Sequence, residues 1–209
     1  MGISVNDSKL AELSRLIAGW PGLASAAPDG LIEDCLVLVE HLGDARTIVD
    51  VGSGGGLPGL PLKIVRPELE VTLLEADGRK SAFLVRACAQ LGLRGVEVVN
   101  RRAEDAAHEA RLRERFDLAV ARALAPMPVV AELCLPFVRV GGRLLAQKTR
   151  SEDVGGAERA IELVGGGTAE IVAAPSPARE SGIVVIVAKV RPTPQEYPRR
   201  SGAPAKKPL

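Results

Sequence analysis

Aromatic side chains are scarce: they make up 2% of 209 residues, and Trp20, Phe83, Phe116, Phe137 and Tyr197 are dispersed along the chain. Stacking platforms for single-stranded nucleic acid are correspondingly scarce. Cysteine is limited to Cys35, Cys88 and Cys134, an odd number, far apart and each among apolar neighbours. They read as buried reduced thiols rather than as a disulfide framework or a metal site. Two histidines, His41 and His108, cannot complete a ligand cluster with them at zinc spacing, so no metal is expected. No apolar run reaches the length of a membrane span, and the N-terminus lacks a basic region followed by an apolar one. A soluble, cytoplasmic protein is the expectation.

What is present fits a globular domain with a substantial core, at 46% hydrophobic and 25% charged residues. Net charge is only +1 but uneven. From Arg191 onward five basic residues face Glu196 alone, giving a +4 tail on a −3 remainder. Such a local excess can neutralise phosphates, or it can be a solvated terminus.

The most informative stretch is Arg46-Thr-Ile-Val-Asp50-Val-Gly52-Ser-Gly54-Gly-Gly56-Leu57-Pro-Gly59. Thr47 to Val51 read as a short buried strand, the glycines as a turn, and Pro58 as the opening of a helix. Glycines at 52, 54 and 56 let a ligand press against the backbone, and the N–H groups at the helix start would face it. A dinucleotide and S-adenosylmethionine both fit such a loop. Gly54, Gly56 and Gly59 even satisfy G-x-G-x-x-G, but that match begins three residues past the strand instead of immediately after it, and counted from Gly52 the third glycine position holds Leu57. Asp50 separates the two, because a carboxylate at the strand end suits an ammonium and sulfonium and repels a pyrophosphate.

Residues 1–45 read as a helical cover in two pieces, with Asp29 placed to cap the second. From 46 to 190 strands and helices alternate. Strands fall at 71–75, 96–99, 116–121, 142–147, 170–173 and 182–188. Helices fall at about 79–91, 103–115, from 128, and at 152–164. This pattern predicts an α/β, Rossmann-like domain with a mostly parallel doubly wound sheet, followed by the basic tail 191–209. In that fold, chemistry sits at strand ends. Glu75 ends the second strand, where it can accept ribose hydroxyls. Ala103 and Glu104 follow the third, where an N–H and a carboxylate can read the adenine edge. Arg122 ends the fourth, placed to anchor the donor's carboxylate or a substrate phosphate.

Absences narrow the reaction. The segment after the fourth strand, Arg122-Ala-Leu-Ala-Pro126, is not the Asn/Asp-Pro-Pro-aromatic signature of exocyclic amine methylation. Cys88 and Cys134 lie in apolar helical patterns, not poised for attack at pyrimidine C5. An acceptor that is already nucleophilic, such as guanine N7, would need only positioning and water exclusion. A nicotinamide-dependent oxidoreductase lacks an evident Tyr-x-x-x-Lys or His/Asp set. A non-catalytic RNA-binding module of the same fold, or a methyltransferase acting on another RNA or a small molecule, stays open.

The run Asp50-Val-Gly-Ser-Gly-Gly-Gly-Leu-Pro-Gly-Leu-Pro-Leu62, Ile64-Val-Arg-Pro67, Ala121-Arg-Ala123 and the ending from Tyr197-Pro-Arg to Leu209 resemble the glucose-inhibited division protein B family, RsmG. These are bacterial small-subunit rRNA guanine-N7 methyltransferases. The resemblance implies S-adenosylmethionine as donor, S-adenosylhomocysteine as product, and 16S rRNA or the small ribosomal subunit as partner. By position it places donor contacts at Gly52, Leu57, Ala103, Glu104 and Arg122, with Glu75, Ala76 and Asp77 near the ribose. It assigns Arg102 and Lys148 to substrate binding, while the charge excess of the tail offers Arg199, Arg200, Lys206 and Lys207 to RNA phosphates. The family's N-terminal Trp-Asn-Lys and Arg-His…Asp-Ser runs are represented only by Trp20 and Ile32-Glu-Asp-Cys35.

Overall fold

Thr47–Val51, rich in β-branched residues, becomes the inner strand β1 of a seven-stranded sheet. The computed structural model describes residues 5–23, 27–151 and 154–209. In chain order the elements are helices α1 (Val5–Ala18) and α2 (Pro28–Leu36), β1, α3 (Gly59–Val65), β2 (Glu70–Leu74), α4 (Gly78–Gln90), β3 (Val96–Val99) and α5 (Ala103–Ala106). There follow β4 (Phe116–Arg122), α6 (Met127–Cys134), β5 (Val138–Thr149), α7 (Glu158–Leu163), β6 (Gly166–Ala173), β7 (Gly182–Lys189) and α8 (Ala203–Lys206).

The strand order is β3-β2-β1-β4-β5-β7-β6. The first five strands are parallel, and β7 runs antiparallel to both neighbours. The order reverses at β1 and β4, which opens a crevice beyond their carboxyl ends. Each face buries its own core. Ile48, Val120 and Leu145 pack with Leu13, Leu60 and Phe83 of α1, α3 and α4. Val49, Val51 and Leu144 pack on the opposite side with Val130 and Ile161 of α6 and α7. This is the two-sided cover that keeps parallel strands out of water.

Three local expectations change. Asp29 does not cap α2: the cap position is Ala27 with no side-chain bond, and Pro28 opens the helix without an N–H to satisfy. The helix expected over 103–115 ends at Ala106 and continues as turns. There Glu114 takes φ +53°, and Arg113 donates instead to the Thr193, Pro194 and Tyr197 carbonyls of the C-terminal segment. The helix expected from 152 has its start outside the described residues, and α7 itself covers only Glu158–Leu163. Among the described residues no helix is long and apolar enough to cross a membrane.

Candidate active-site crevice

The glycine turn bends because three of its residues occupy the left-handed region, Gly52 at φ +75°, Gly54 at +55° and Gly56 at +82°. At Gly52 a Cβ would lie 2.6 Å from Leu124 Cδ1, and at Gly56 one would lie 2.3 Å from Leu60 Cδ1. Neither position tolerates a side chain. The turn is tied to β2 by the Gly52 and Ser53 N–H groups, which donate to the Leu74 carbonyl at 2.8 and 3.1 Å. Beside it lies a crevice of about 510 Å³, the size of a small-molecule site. Gly52, Gly54, Leu57, Glu75, Ala103 and Arg122 are among its walls.

Asp50 does not face that crevice. It is fully buried beneath the turn, where its Oδ2 accepts the Gly59 N–H at 2.9 Å. A Cβ on Gly59 would come within 2.8 Å of that oxygen, so the glycine makes room for the carboxylate. The strand period explains the direction, since Asp50 shares a face with Ile48, toward α3. Burial pushes Asp50 up to about 7, the Gly59 and Ser53 bonds opposing. Burial thus weakens its negative charge, and it acts on the crevice through the shape of the turn rather than on a bound cation.

Glu75 does face the crevice. Its Oε2 accepts the Gly54 N–H and its Oε1 the Asp77 N–H, both at 2.8 Å. One carboxylate thus locks the glycine turn to the start of α4, with lone pairs left for ligand hydroxyls. Ala76 is also a wall, whereas Asp77 is turned aside as the N-cap of α4, accepting from the Arg79 and Lys80 N–H groups at 2.8 and 3.0 Å. An N-cap satisfies donors that the helix leaves open, which is why the Asp77 carboxylate is drawn away from the crevice.

Ala103 and Glu104 close the far wall at the start of α5. Glu104 Oε1 accepts from Arg102 Nη2 at 2.9 Å and from the Gly202 N–H at 2.8 Å. Burial disfavours its charge, but those two bonds hold the carboxyl below its ordinary range. Arg102 lies at the rim with its guanidinium largely in solvent.

Arg122, at the end of β4, lines both the crevice and a second cavity of about 110 Å³. Its Nε donates to Asp34 Oδ2 at 3.1 Å. Neither terminal nitrogen has a partner among the described residues. Asp34, in α2, is wholly buried and also accepts from Arg179 Nε at 3.0 Å and Ser176 Oγ at 2.6 Å. Lys148 is buried rather than presented at the surface, and its Nζ donates to the Ala125 carbonyl, tethering the loop after β4. It borders the smaller cavity, not the crevice.

The C-terminal segment is folded onto the domain. Arg199 donates through Nε and Nη2 to the buried Glu132 of α6, at 2.9 and 2.7 Å, and is therefore not available to RNA phosphate as the sequence suggested. A bidentate partner inside the protein outcompetes hydration. Arg200, Lys206 and Lys207 are exposed.

Among the described residues no group of three His, Cys, Asp or Glu could hold a metal ion. Burial pushes the Cys35 and Cys134 thiols far up, and Cys88 to about 11, so none is a ready nucleophile. Sequence reasoning missed Asp34, Arg179 and Gln147, whose link to Arg122 is tertiary, and Lys80, which reaches the crevice from the first turn of α4. The one available signal was the Asp34-Cys35 pair, standing where the resembled family carries Asp-Ser.

A family model described as GidB, rRNA small subunit methyltransferase G, matches residues 28–180. Proteins named ribosomal RNA small subunit methyltransferase G are similar over most of the chain. That of Moorella thermoacetica is 48% identical over 83% of this chain and 74% of its own length. That of Rubrobacter xylanophilus is 42% identical over 97% and 83% respectively. Among solved structures, the S-adenosylmethionine-dependent methyltransferase SibL in its apo form superposes with a TM-score of 0.62 at 18% identity, over 86% of this chain and 62% of that one. At that identity the likeness shows the fold, a Rossmann-like class I methyltransferase fold.

Proposed function

The chain belongs to the rRNA small subunit methyltransferase G family, and from that premise we propose that it transfers a methyl group from S-adenosylmethionine to N7 of a guanine in 16S rRNA. The observation that carries this reading is the crevice itself. A left-handed glycine turn, a carboxylate at the tip of β2 and an arginine fork whose terminal nitrogens have no partner among the described residues meet around about 510 Å³.

These features fit the donor's parts. Glu75, already fixed by two backbone bonds, offers its remaining lone pairs to the ribose hydroxyls. The Ala103 N–H and Glu104 suit the adenine edge, and the Arg122 fork suits the α-carboxylate. Gly52 and Gly54 give the ligand close access to the backbone, whereas Gly56, expected from the sequence to touch the donor, is turned into the core against Leu60 and Leu84 and serves only the bend. Bound S-adenosylmethionine would supply a sulfonium-activated methyl for transfer to the N7 lone pair, with S-adenosylhomocysteine as the product. No proton has to leave, so the chain needs no general base. Its contribution is to align the acceptor behind the methyl and exclude water, with Leu57 and Leu124 as apolar walls.

For RNA, the exposed Arg102, Arg200, Lys206 and Lys207 are the proposed phosphate contacts. Arg199 and Lys148 are proposed to hold the tail and the loop after β4 instead. Incubating purified protein with radiolabelled S-adenosylmethionine and either naked 16S rRNA or isolated small subunits, followed by nucleoside mass analysis, tests the reading. N7-methylguanine is expected. Label on another base or atom, or none in RNA, would refute it.

A further inference from the structure

The cavity beside the crevice is small and unusually specified. It holds about 110 Å³ and is bordered by Arg122, Ala123, Gln147, Lys148, Asp34 and Arg179. Arg122 and Ala123 belong to both spaces, so they form the partition between them. Gln147 sits directly across from Arg122 in the β4–β5 register.

Asp34 orients both residues. Its side chain fixes Arg122 through Nε at 3.1 Å, and its main-chain carbonyl accepts Gln147 Nε2 at 2.8 Å. The carbonyl can only accept, so the amide nitrogen must point to it and the Gln147 oxygen must point elsewhere. That oxygen, Oε1, is buried without a partner, on a residue only 3% exposed. Buried acceptors left unpaired are uncommon and costly. Among the described residues the site therefore offers one unpaired acceptor on Gln147 beside unpaired donors on Arg122 and on Arg179, whose Nη2 is likewise buried without a partner.

We propose that this cavity is the acceptor-base subsite and that it selects guanine through its N1–H and O6, received by Gln147 Oε1 and the Arg122 guanidinium. The inference deepens the function proposed above and rests on it for the donor's location in the larger crevice. The order of groups along a guanine edge is N1, O6, N7. The order of features here is Gln147, Arg122, donor crevice. A base seated with N1–H at Gln147 and O6 at Arg122 turns N7 toward the crevice. At about 110 Å³ the cavity is smaller than the roughly 150 Å³ that holds a benzene ring, so it would take the N1–O6 edge of the base and leave the imidazole ring carrying N7 at the partition. Adenine presents the reverse pattern, an amine toward Arg122 and a bare N1 toward Gln147, so donor would meet donor and acceptor would meet acceptor. Asp34 is the positioning residue of this subsite.

The test uses the full chain with S-adenosylhomocysteine present and measures binding of GMP, IMP and AMP, to wild type and to Gln147→Met. IMP keeps O6 and N1–H, so wild type is expected to hold GMP and IMP alike and to prefer both over AMP by roughly tenfold or more. Gln147→Met should lose that preference while binding S-adenosylhomocysteine as wild type does, because Gln147 does not line the crevice. Equal binding of the three nucleotides by wild type, or a guanine preference that survives in Gln147→Met, would overturn the assignment. Should the variant not fold, the wild-type ranking decides alone. A guanine preference together with no methyl transfer to RNA would leave the subsite standing and remove the proposed function; methyl transfer without the preference would do the reverse.

Discussion

Asp34 and Arg122, 88 positions apart, meet at 3.1 Å at the partition between the two cavities. The carboxylate is fully buried and shared with Arg179, so the N-terminal helical layer is wired into the site as well as covering the sheet. Removing it with Asp34→Ala strands two poorly solvated guanidinium groups, at a cost of roughly 3–5 kcal/mol. Urea denaturation should show that loss. Asp34→Asn, which retains an acceptor, should lose less stability but still lower methyl transfer roughly tenfold or more as the Arg122 fork loosens. Wild-type activity in Asp34→Asn would mean that Arg122 needs no such support.

Asp50 carries a pH signature. Burial pushes its carboxyl from the ordinary 3.8 up to about 7 in the folded chain, so between those values the native state binds more proton than the unfolded chain. Stability from this residue is therefore greatest at low pH and falls as pH rises through that window, by at most about 1.4 kcal/mol per unit, levelling off above it. Asp117 acts oppositely and lower. Burial opposes its charge, but bonds from Arg46, Thr47 and Arg139 hold it at about 2, so its contribution is lost only as pH falls below 3.8. Denaturation profiles of wild type and Asp50→Asn between pH 4 and 7 should diverge, the variant being flatter. Parallel profiles would contradict a buried, reluctantly ionised Asp50.

The tail separates into an anchor and a free basic surface. Arg199→Ala strips the buried Glu132 of its guanidinium partner, leaving it only the backbone N–H of residue 199, and should destabilise by roughly 3 kcal/mol. Replacing Arg200, Lys206 and Lys207 together with alanine should change stability by no more than about 0.5 kcal/mol. The same triple change should flatten the salt dependence of RNA binding by roughly 0.7 per lost phosphate contact. An unchanged slope would reduce these residues to a solvated terminus.

Much of this was legible before any coordinates. The alternation of apolar strands with helices leads directly to the sheet, and the glycine turn, Glu75, Ala103, Glu104 and Arg122 all border the crevice because strand ends are where this topology opens. What stayed hidden was set by tertiary partners. The 103–115 segment is polar and helix-favouring, yet Arg113 is captured by carbonyls 80 or more residues away and the helix stops at Ala106. Asp34 looks like any acid on an amphipathic helix until Arg122, Ser176 and Arg179 converge on it. Asp50 could have been read correctly from the strand period alone, which sets it beside Ile48 and away from the ligand side.

The direct check is calorimetric titration of S-adenosylhomocysteine into wild type and Glu75→Ala. Wild type should bind in the micromolar range and the variant at least roughly tenfold more weakly, as the ribose contact and the lock on Gly54 are both lost. Wild-type affinity weaker than about 1 mM, near −4 kcal/mol, or equal affinity in the two proteins, would contradict a methyl donor lying along the glycine turn against Glu75.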